Sequence, residues 1–355
     1  MRSEPQGLLP LLIALPYSAG AFTVTWSLIF AFFSEYLTRF GCDAKDRFSL
    51  FTCDTEAWFA SPGGDTFVEA YVQVTNTPGG WIWSSTLLMF VVPCCLWIHL
   101  EGTRSGLSRA YQLAFIVLGF LGAISASFPL AFAFVNALQH QKKLPNTKSA
   151  SLSFHRAPVA KPRINFTFLA LPAALAIASA VALPYTVHKA DRTPYITALA
   201  ILHVILLVPT LCNKIVAVNS KSKGVQNGTL VIIYAAISGA AAVQHLHNLL
   251  QYASGESPWS ELGGAGWANY CQASISWDAC LSGAACLGFL WSSAKRERNA
   301  DGQPAYSAMP FILASPFVSI AATFAAFLAC SAAKVDTGTQ SKTCHQKENK
   351  KTRAD

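Results

Sequence analysis

The sequence predicts an all-α, polytopic transmembrane helix bundle of about eight spans. Hydrophobic residues make up 52% of the chain and charged residues only 12%, about half the charged fraction of a soluble globular protein. Mean hydropathy is +0.36. Apolar runs of about 20 residues, the length a helix needs to cross the hydrocarbon core, recur from one end to the other. A length of 355 residues would otherwise suit two soluble domains. The pattern reads instead as one transmembrane bundle domain over residues 1–333 and a polar, Lys-rich tail over 334–355, whose composition predicts disorder.

Taken in order, the first span covers residues 8–33. It is too long for a signal-peptide core and has no polar cleavage region, so it reads as a retained span kinked at Pro10 or Pro16. A first loop, 34–80, is rich in Asp, Glu, Gly and Thr. Spans two and three cover about 81–99 and 111–135. A basic loop, 137–165, carries Lys142, Lys143, Lys148, Arg156, Lys161 and Arg163. Spans four to eight cover about 166–187, 195–218, 230–252, 273–291 and 310–332. No internal repeat of fixed period is visible, although transporter symmetry is often weak in sequence.

The net charge of +8 does not point to nucleic acid. The basic residues sit in loops and the tail, where the positive-inside rule places them, and no basic patch is interleaved with exposed aromatics. Orientation is divided. Loop charges favour odd-numbered loops in the cytosol and both termini in the lumen, whereas the acidic first loop looks lumenal and the basic tail cytosolic. Of ten cysteines, most lie in apolar runs and act as small hydrophobes. Cys42 and Cys53 share the first loop, where an oxidising lumen would allow a disulfide. The triplets Asn165-Phe166-Thr167 and Asn227-Gly228-Thr229 abut spans and read as chance glycosylation matches.

Ionisable groups at membrane depth are costly and usually face a bundle interior or a wet cavity. In span six, Gln244, Asn248 and Gln251 fall on one helical stripe flanked by His245 and Tyr252. Such a wedge could bind an oxygenated ligand or simply make interhelical hydrogen bonds. In span seven, Ser274, Asp278 and Ser282 share a face, and Asp278 is the only carboxylate in the last five spans. A carboxylic acid kept protonated in a desolvated site is a good general acid; the alternative is a structural carboxylate paired with His203 or His245. Trp277, beside Asp278, suits an interfacial belt or the wall of a site holding a cation. His203 stands isolated and reads as an interhelical histidine. Asp54, Glu56, Trp58 and Asp65 read as a solvated acidic loop rather than a lid. No P-loop, GxSxG, HExxH, Rossmann or Cys/His metal spacing occurs, and no lysine lies in the middle of a late span, where it would bind retinal.

Three short patches carry a resemblance: Gly119-Phe120-Leu121-Gly122-Ala123-Ile124-Ser125-Ala126-Ser127-Phe128-Pro129, Ser274-Ile275-Ser276-Trp277-Asp278 and Ser315-Pro316-Phe317. With the multispan architecture, these resemble the fungal membrane-bound terpene cyclases of meroterpenoid pathways, of the ascochlorin, ascofuranone and macrophorin type. The resemblance implies an endoplasmic-reticulum enzyme without cofactor. It would protonate an epoxide or alkene of a prenylated, farnesyl-bearing aromatic or quinone-like precursor and guide carbocation cyclisation. The substrate would arrive from the bilayer, and a pathway epoxidase or prenyltransferase would be a natural partner. No diphosphate leaves, so no metal cage is needed. On this reading Asp278 is the general acid, with His245 or Asn248 holding it or taking the final proton. Trp277 stabilises the cation, and Gln244, Gln251, Ser274 and Tyr252 bind substrate. A small-molecule transporter and a seven-span-like receptor are the competing readings.

Overall fold

The computed structural model describes residues 9–39, 66–143, 166–189, 191–212, 223–254, 259–296 and 307–333. The Cys42–Cys53 pair, the acidic residues 54–65 and the tail lie outside these. The described helices are α1 (Leu9–Arg39), α2 (Thr66–Thr75), α3 (Pro78–Ser105), α4 (Arg109–Leu121), α5 (Ile124–Lys143), α6 (Phe166–Thr186), α7 (Thr193–Ile205), α8 (Val208–Leu211), α9 (Lys223–Ala253), α10 (Trp259–Ala265), α11 (Tyr270–Arg296) and α12 (Met309–Val318), followed by α13 (Ile320–Ala333). Six are long and apolar enough to cross a membrane: α1, α3, α6, α7 running on into α8, α9 and α11.

The central helix, α3, is apolar all round, and such helices are buried. Thr77 caps its start by accepting the Gly80 N–H at 3.1 Å, and Pro78 follows where its missing donor costs nothing. Gly106 ends it at φ 81°, the left-handed turn glycine adopts without penalty.

The third and eighth predicted spans are not single continuous helices. Each breaks and folds back as a helical hairpin. In the first, the Phe115 and Phe134 rings lie 5.5 Å apart, although a straight helix would separate these residues by about 28 Å. The Ser127 hydroxyl donates back to the Phe115 carbonyl. The turn falls at Gly122 because a side chain does not fit there: a Cβ would lie 2.6 Å from the Leu118 carbonyl oxygen and 3.1 Å from the Phe22 ring. In the second, Phe311 and Phe327 rings lie 5.5 Å apart, and the Ser315 and Thr323 hydroxyls are bonded at 2.9 Å.

Ser319 turns the second hairpin at φ 81°, ψ 151°, a region that costs a non-glycine residue about 1–3 kcal/mol. Its hydroxyl accepts the Ala322 N–H at 3.2 Å and so caps α13. Ser319→Ala keeps the strain and loses the cap; Ser319→Gly relieves the strain and forfeits only a few tenths of a kcal/mol of capping. The glycine variant should therefore exceed the alanine variant by about 2 kcal/mol in thermal melts in detergent. Equal melting would discard the strain argument.

Among the described residues the order of elements repeats, although no fixed period is visible in the sequence. A long helix, a short helix, a long helix and a hairpin occur as α1, α2, α3 and α4–α5, then again as α9, α10, α11 and α12–α13. The pair α6 and α7 stands between them. Packing is reciprocal: α1 lies on α11 and α9 on α3. Each contact has a polar tie. Ser274 donates to the Thr25 carbonyl at 3.1 Å, and Asn248 donates to the Ser85 hydroxyl at 2.7 Å. At the hairpin turns, Ile124-Ser125-Ala126-Ser127-Phe128 answers Ile320-Ala321-Ala322-Thr323-Phe324. Phe128 and Phe324 meet at 5.4 Å in the buried aromatic centre with Phe90, Trp97 and Phe289.

The two faces of the bundle follow from these contacts. At one face lie the start of α3 and the end of α9, where Gly79 abuts Tyr252, and the start of α11, where Gly80 abuts Gln272. The end of α1 joins them through Phe32, Tyr36, Val74 and Cys271. The Arg192–Glu69 pair at 3.6 Å and the Thr75–Tyr195 bond at 3.0 Å place the start of α7 there too. Nearby, Asp191 accepts the Thr193 N–H at 2.9 Å, which holds its carboxyl below the usual range. The opposite face gathers the end of α3 and the open ends of both hairpins. There Gln139 donates to Ser105 at 3.2 Å and His99 meets Thr210 at 3.4 Å.

Candidate functional site

The first hairpin ends inside the bundle against Asp278. The Asp278 carboxyl accepts the backbone N–H of Ser125 at 2.8 Å and of Ile124 at 3.1 Å, with the Ser282 hydroxyl at 3.4 Å. These N–H groups open α5. The first turn of a helix has no intrahelical acceptors for its donors, and its dipole favours a carboxylate. Asp278, from another helix, thus supplies the cap that a mid-membrane helix start otherwise lacks. Ser274, one turn earlier, ties α11 to α1. The predicted shared face of Ser274, Asp278 and Ser282 is thereby used for holding together α11, α1 and the hairpin tip.

Asp278 and Ser274 also border a cavity of about 330 Å³. Its wall comes from α1 (Thr25, Trp26, Phe32, Phe33), α2 (Ala70, Tyr71, Val74), α3 (Leu87, Leu88, Val91), the hairpin tip from Gly119 to Ile124, α7 (Leu202, His203) and α11 (Cys271, Ile275). Polar groups are few. Tyr71 Oη and His203 Nε2 are 2.7 Å apart, while His203 Nδ1 lies 2.8 Å from the Leu199 carbonyl one turn back. A carbonyl can only accept, so Nδ1 carries the proton and Nε2 accepts the tyrosyl hydroxyl. The Tyr71 and Phe120 rings meet the imidazole edge-on at 5.4 and 5.2 Å. The Trp26 indole N–H is buried without a hydrogen-bond partner among the described residues.

The span-six residues do not join Asp278. Gln244 donates to Asn248 at 2.7 Å, and Asn248 donates onward to Ser85 on α3, so this stripe ties two helices. His245 holds both ring nitrogens buried without a partner among the described residues, and it neither hydrogen-bonds Asp278 nor lines the cavity. Gln251 is exposed and Tyr252 packs at the start of α3. Trp277 is 42% exposed, with its ring against Trp267 at 5.4 Å and off the cavity wall. A helix turns 100° per residue, so the neighbour of an inward Asp278 faces outward. Trp277→Ala should leave binding of an apolar ligand in the cavity within about two-fold of wild type, as the group makes no contact there. A larger loss, read by ligand-dependent thermal shift, would return Trp277 to the site.

Tyr71, His203 and Trp26 were not legible as site residues. Tyr71 lies in the segment read as loop 34–80, which holds the helix α2, and its pairing with His203 bridges elements far apart in sequence. No family model matches the chain, and neither a curated protein nor a solved structure matches it.

Proposed function

We propose that the chain is an integral membrane terpene cyclase. It would open an epoxide or alkene of a prenylated, farnesyl-bearing aromatic or quinone-like precursor and guide the resulting cation to a ring. The cavity carries this reading. Its volume lies at the small end of ligand pockets. Its wall combines aromatic rings, which attract cations, with apolar residues that exclude competing water. Among the described residues of its wall, Asp278, Tyr71, His203 and Cys271 are the side chains that carry a titratable proton. An apolar substrate would enter from the bilayer, supplied by prenyl transfer and epoxidation.

The test is a microsomal assay of wild type, Asp278→Asn and Ala70→Phe with an epoxidised farnesyl-phenol, read by mass spectrometry and NMR. A cyclised isomer is expected from wild type, and about 100-fold less from Ala70→Phe, whose ring occupies the cavity, at equal protein level. No wild-type turnover across several prenylated precursors overturns the reading. Full activity in Asp278→Asn would keep the cyclase and remove Asp278 as its acid.

A second reading, a small-molecule transporter, is favoured by the duplicated hairpins, because repeats with broken helices at the midplane are a transporter architecture. Substrate-dependent uptake into proteoliposomes, without chemical change, would select it.

We further infer that the face bearing the open ends of the hairpins is cytosolic, in an endoplasmic-reticulum membrane. Connections at that face carry Lys148, Arg156, Lys161, Arg163, Lys214, Lys221 and Arg298, against Lys45, Arg47, Lys189 and Arg192 at the other, as the positive-inside rule requires. Treating the hairpins as returns rather than crossings removes the conflict in the loop charges. It puts both termini in the cytosol and Cys42 and Cys53 in the lumen. A glycosylation acceptor inserted at Gly63 should be modified in microsomes and one at Ser151 should not. The reverse pattern inverts the orientation.

A further inference from the structure

We infer that Tyr71 and His203 are the proton-transfer pair of the cavity, a role that rests on the cyclase reading. Both Asp278 oxygens already accept from the hairpin backbone, so Asp278 is occupied in holding the cavity wall. Tyr71 and His203 are differently placed. They border the same cavity, from α2 and α7. The His203 tautomer is set by the Leu199 carbonyl, which fixes the proton on Nδ1 and leaves the Nε2 lone pair facing the tyrosyl hydroxyl at 2.7 Å. The imidazole is clamped edge-on by Tyr71 and Phe120. Such a clamp holds the ring in one orientation, as a proton relay needs.

The chemistry balances within this pair. At the end of cyclisation a carbocation loses the proton on the carbon next to the cationic centre. The C–H electron pair becomes the second bond of an alkene, and the proton passes to Tyr71 Oη. At the same moment the tyrosyl proton passes to His203 Nε2, leaving neutral tyrosine and an imidazolium. For the next substrate the transfers run in reverse. The imidazolium returns its proton to Tyr71 Oη, and Tyr71 donates its own to the epoxide oxygen, whose C–O bond opens to the cation and a hydroxyl group. One proton is borrowed and one returned per turnover, so the reaction is a net isomerisation and needs no co-reactant. Tyr71 is the group that meets substrate; His203 acts through it.

Wild type, Tyr71→Phe and His203→Gln are compared as full-length protein in microsomes with the epoxidised farnesyl-phenol. Tyr71→Phe keeps the ring that packs on the imidazole. His203→Gln keeps a hydrogen-bond acceptor for Tyr71 but cannot hold the proton. Both should lose about 100-fold in cyclisation rate, the usual worth of a general acid–base group. Every product carries the hydroxyl of the opened epoxide; the residual product should shift from alkene toward diol, because a cation that is not deprotonated persists until water adds to it and gives up a proton. A merely structural role would lower yield without changing that ratio. If wild type cyclises the substrate and both variants keep its rate and alkene-to-diol ratio, the pair has no such role. If wild type forms no cyclised product, the cyclase reading itself fails.

Discussion

Asp278→Ala should destabilise the protein by about 4 kcal/mol, the largest effect expected of any single polar substitution in the bundle. The carboxyl holds two backbone N–H groups at the tip of the first hairpin, at 2.8 and 3.1 Å. Removing it strands both donors where neither water nor another acceptor replaces it, and each unsatisfied buried group costs about 1–3 kcal/mol. Asp278→Asn leaves one amide oxygen for one N–H and turns a second donor toward the other, so about half of the loss should remain. The measurement is thermal survival of the monodisperse peak in detergent size exclusion. Both variants melting within about 1 kcal/mol of wild type would show that the hairpin tip holds itself. Because the tip forms part of the cavity wall, a destabilised Asp278→Ala protein should also bind apolar ligands more weakly, while Asp278→Asn separates that positional effect from chemistry.

Phe128→Ala should cost about 3–5 kcal/mol. Phe128 is fully buried, and its ring meets Phe90, Trp97, Phe289 and Phe324 at 5.8, 5.6, 5.7 and 5.4 Å. In a membrane the lipid tails are as apolar as the core, so transfer out of water contributes little and close packing contributes most. Deleting the ring leaves a void whose lining forfeits dispersion contacts outright. The position also joins the duplicated halves, since Phe128 and Phe324 occupy equivalent places in the two hairpins. Phe324→Ala should cost a similar amount, and the double variant less than the sum, because each single variant already breaks the shared contact. Strict additivity in the same melts would show that the hairpins are held independently of each other.

The resemblance patches acquire a physical meaning from the hairpins. Gly119 to Pro129 spans the first turn, and Ser315 to Phe317 ends just before the second, at Ser319. Ser274 to Asp278 is the segment of α11 that grips the first turn. Their residue types report a backbone reversal inside a membrane and its cap. Such a reversal needs a residue without a Cβ at Gly122 and a partner for the exposed helix start. That requirement holds for an enzyme and for a transporter alike, so the functional choice rests on the cavity.

The sequence by itself determined that the chain is helical, apolar and built around a membrane. Run length, the low charge and the scarcity of ionisable groups at depth dictate this, because unpaired backbone groups are not tolerated in hydrocarbon. It also singled out Asp278 and Ser274 as inward residues, since a lone carboxylate at depth must find donors. Only the tertiary structure decided which apolar segments cross and which return. A hydropathy window counts residues and carries no direction, and a crossing helix and a folded-back pair satisfy their backbone equally well. The same limit hid the duplication, whose halves share element order far more than residue identity. It also hid Tyr71 and His203, which stand 132 positions apart and become a pair only when α2 packs on the bundle beside α7. Asp278 and His245 failed to meet for the complementary reason: α9 seats its polar stripe on α3, and the hairpin tip reaches Asp278 first.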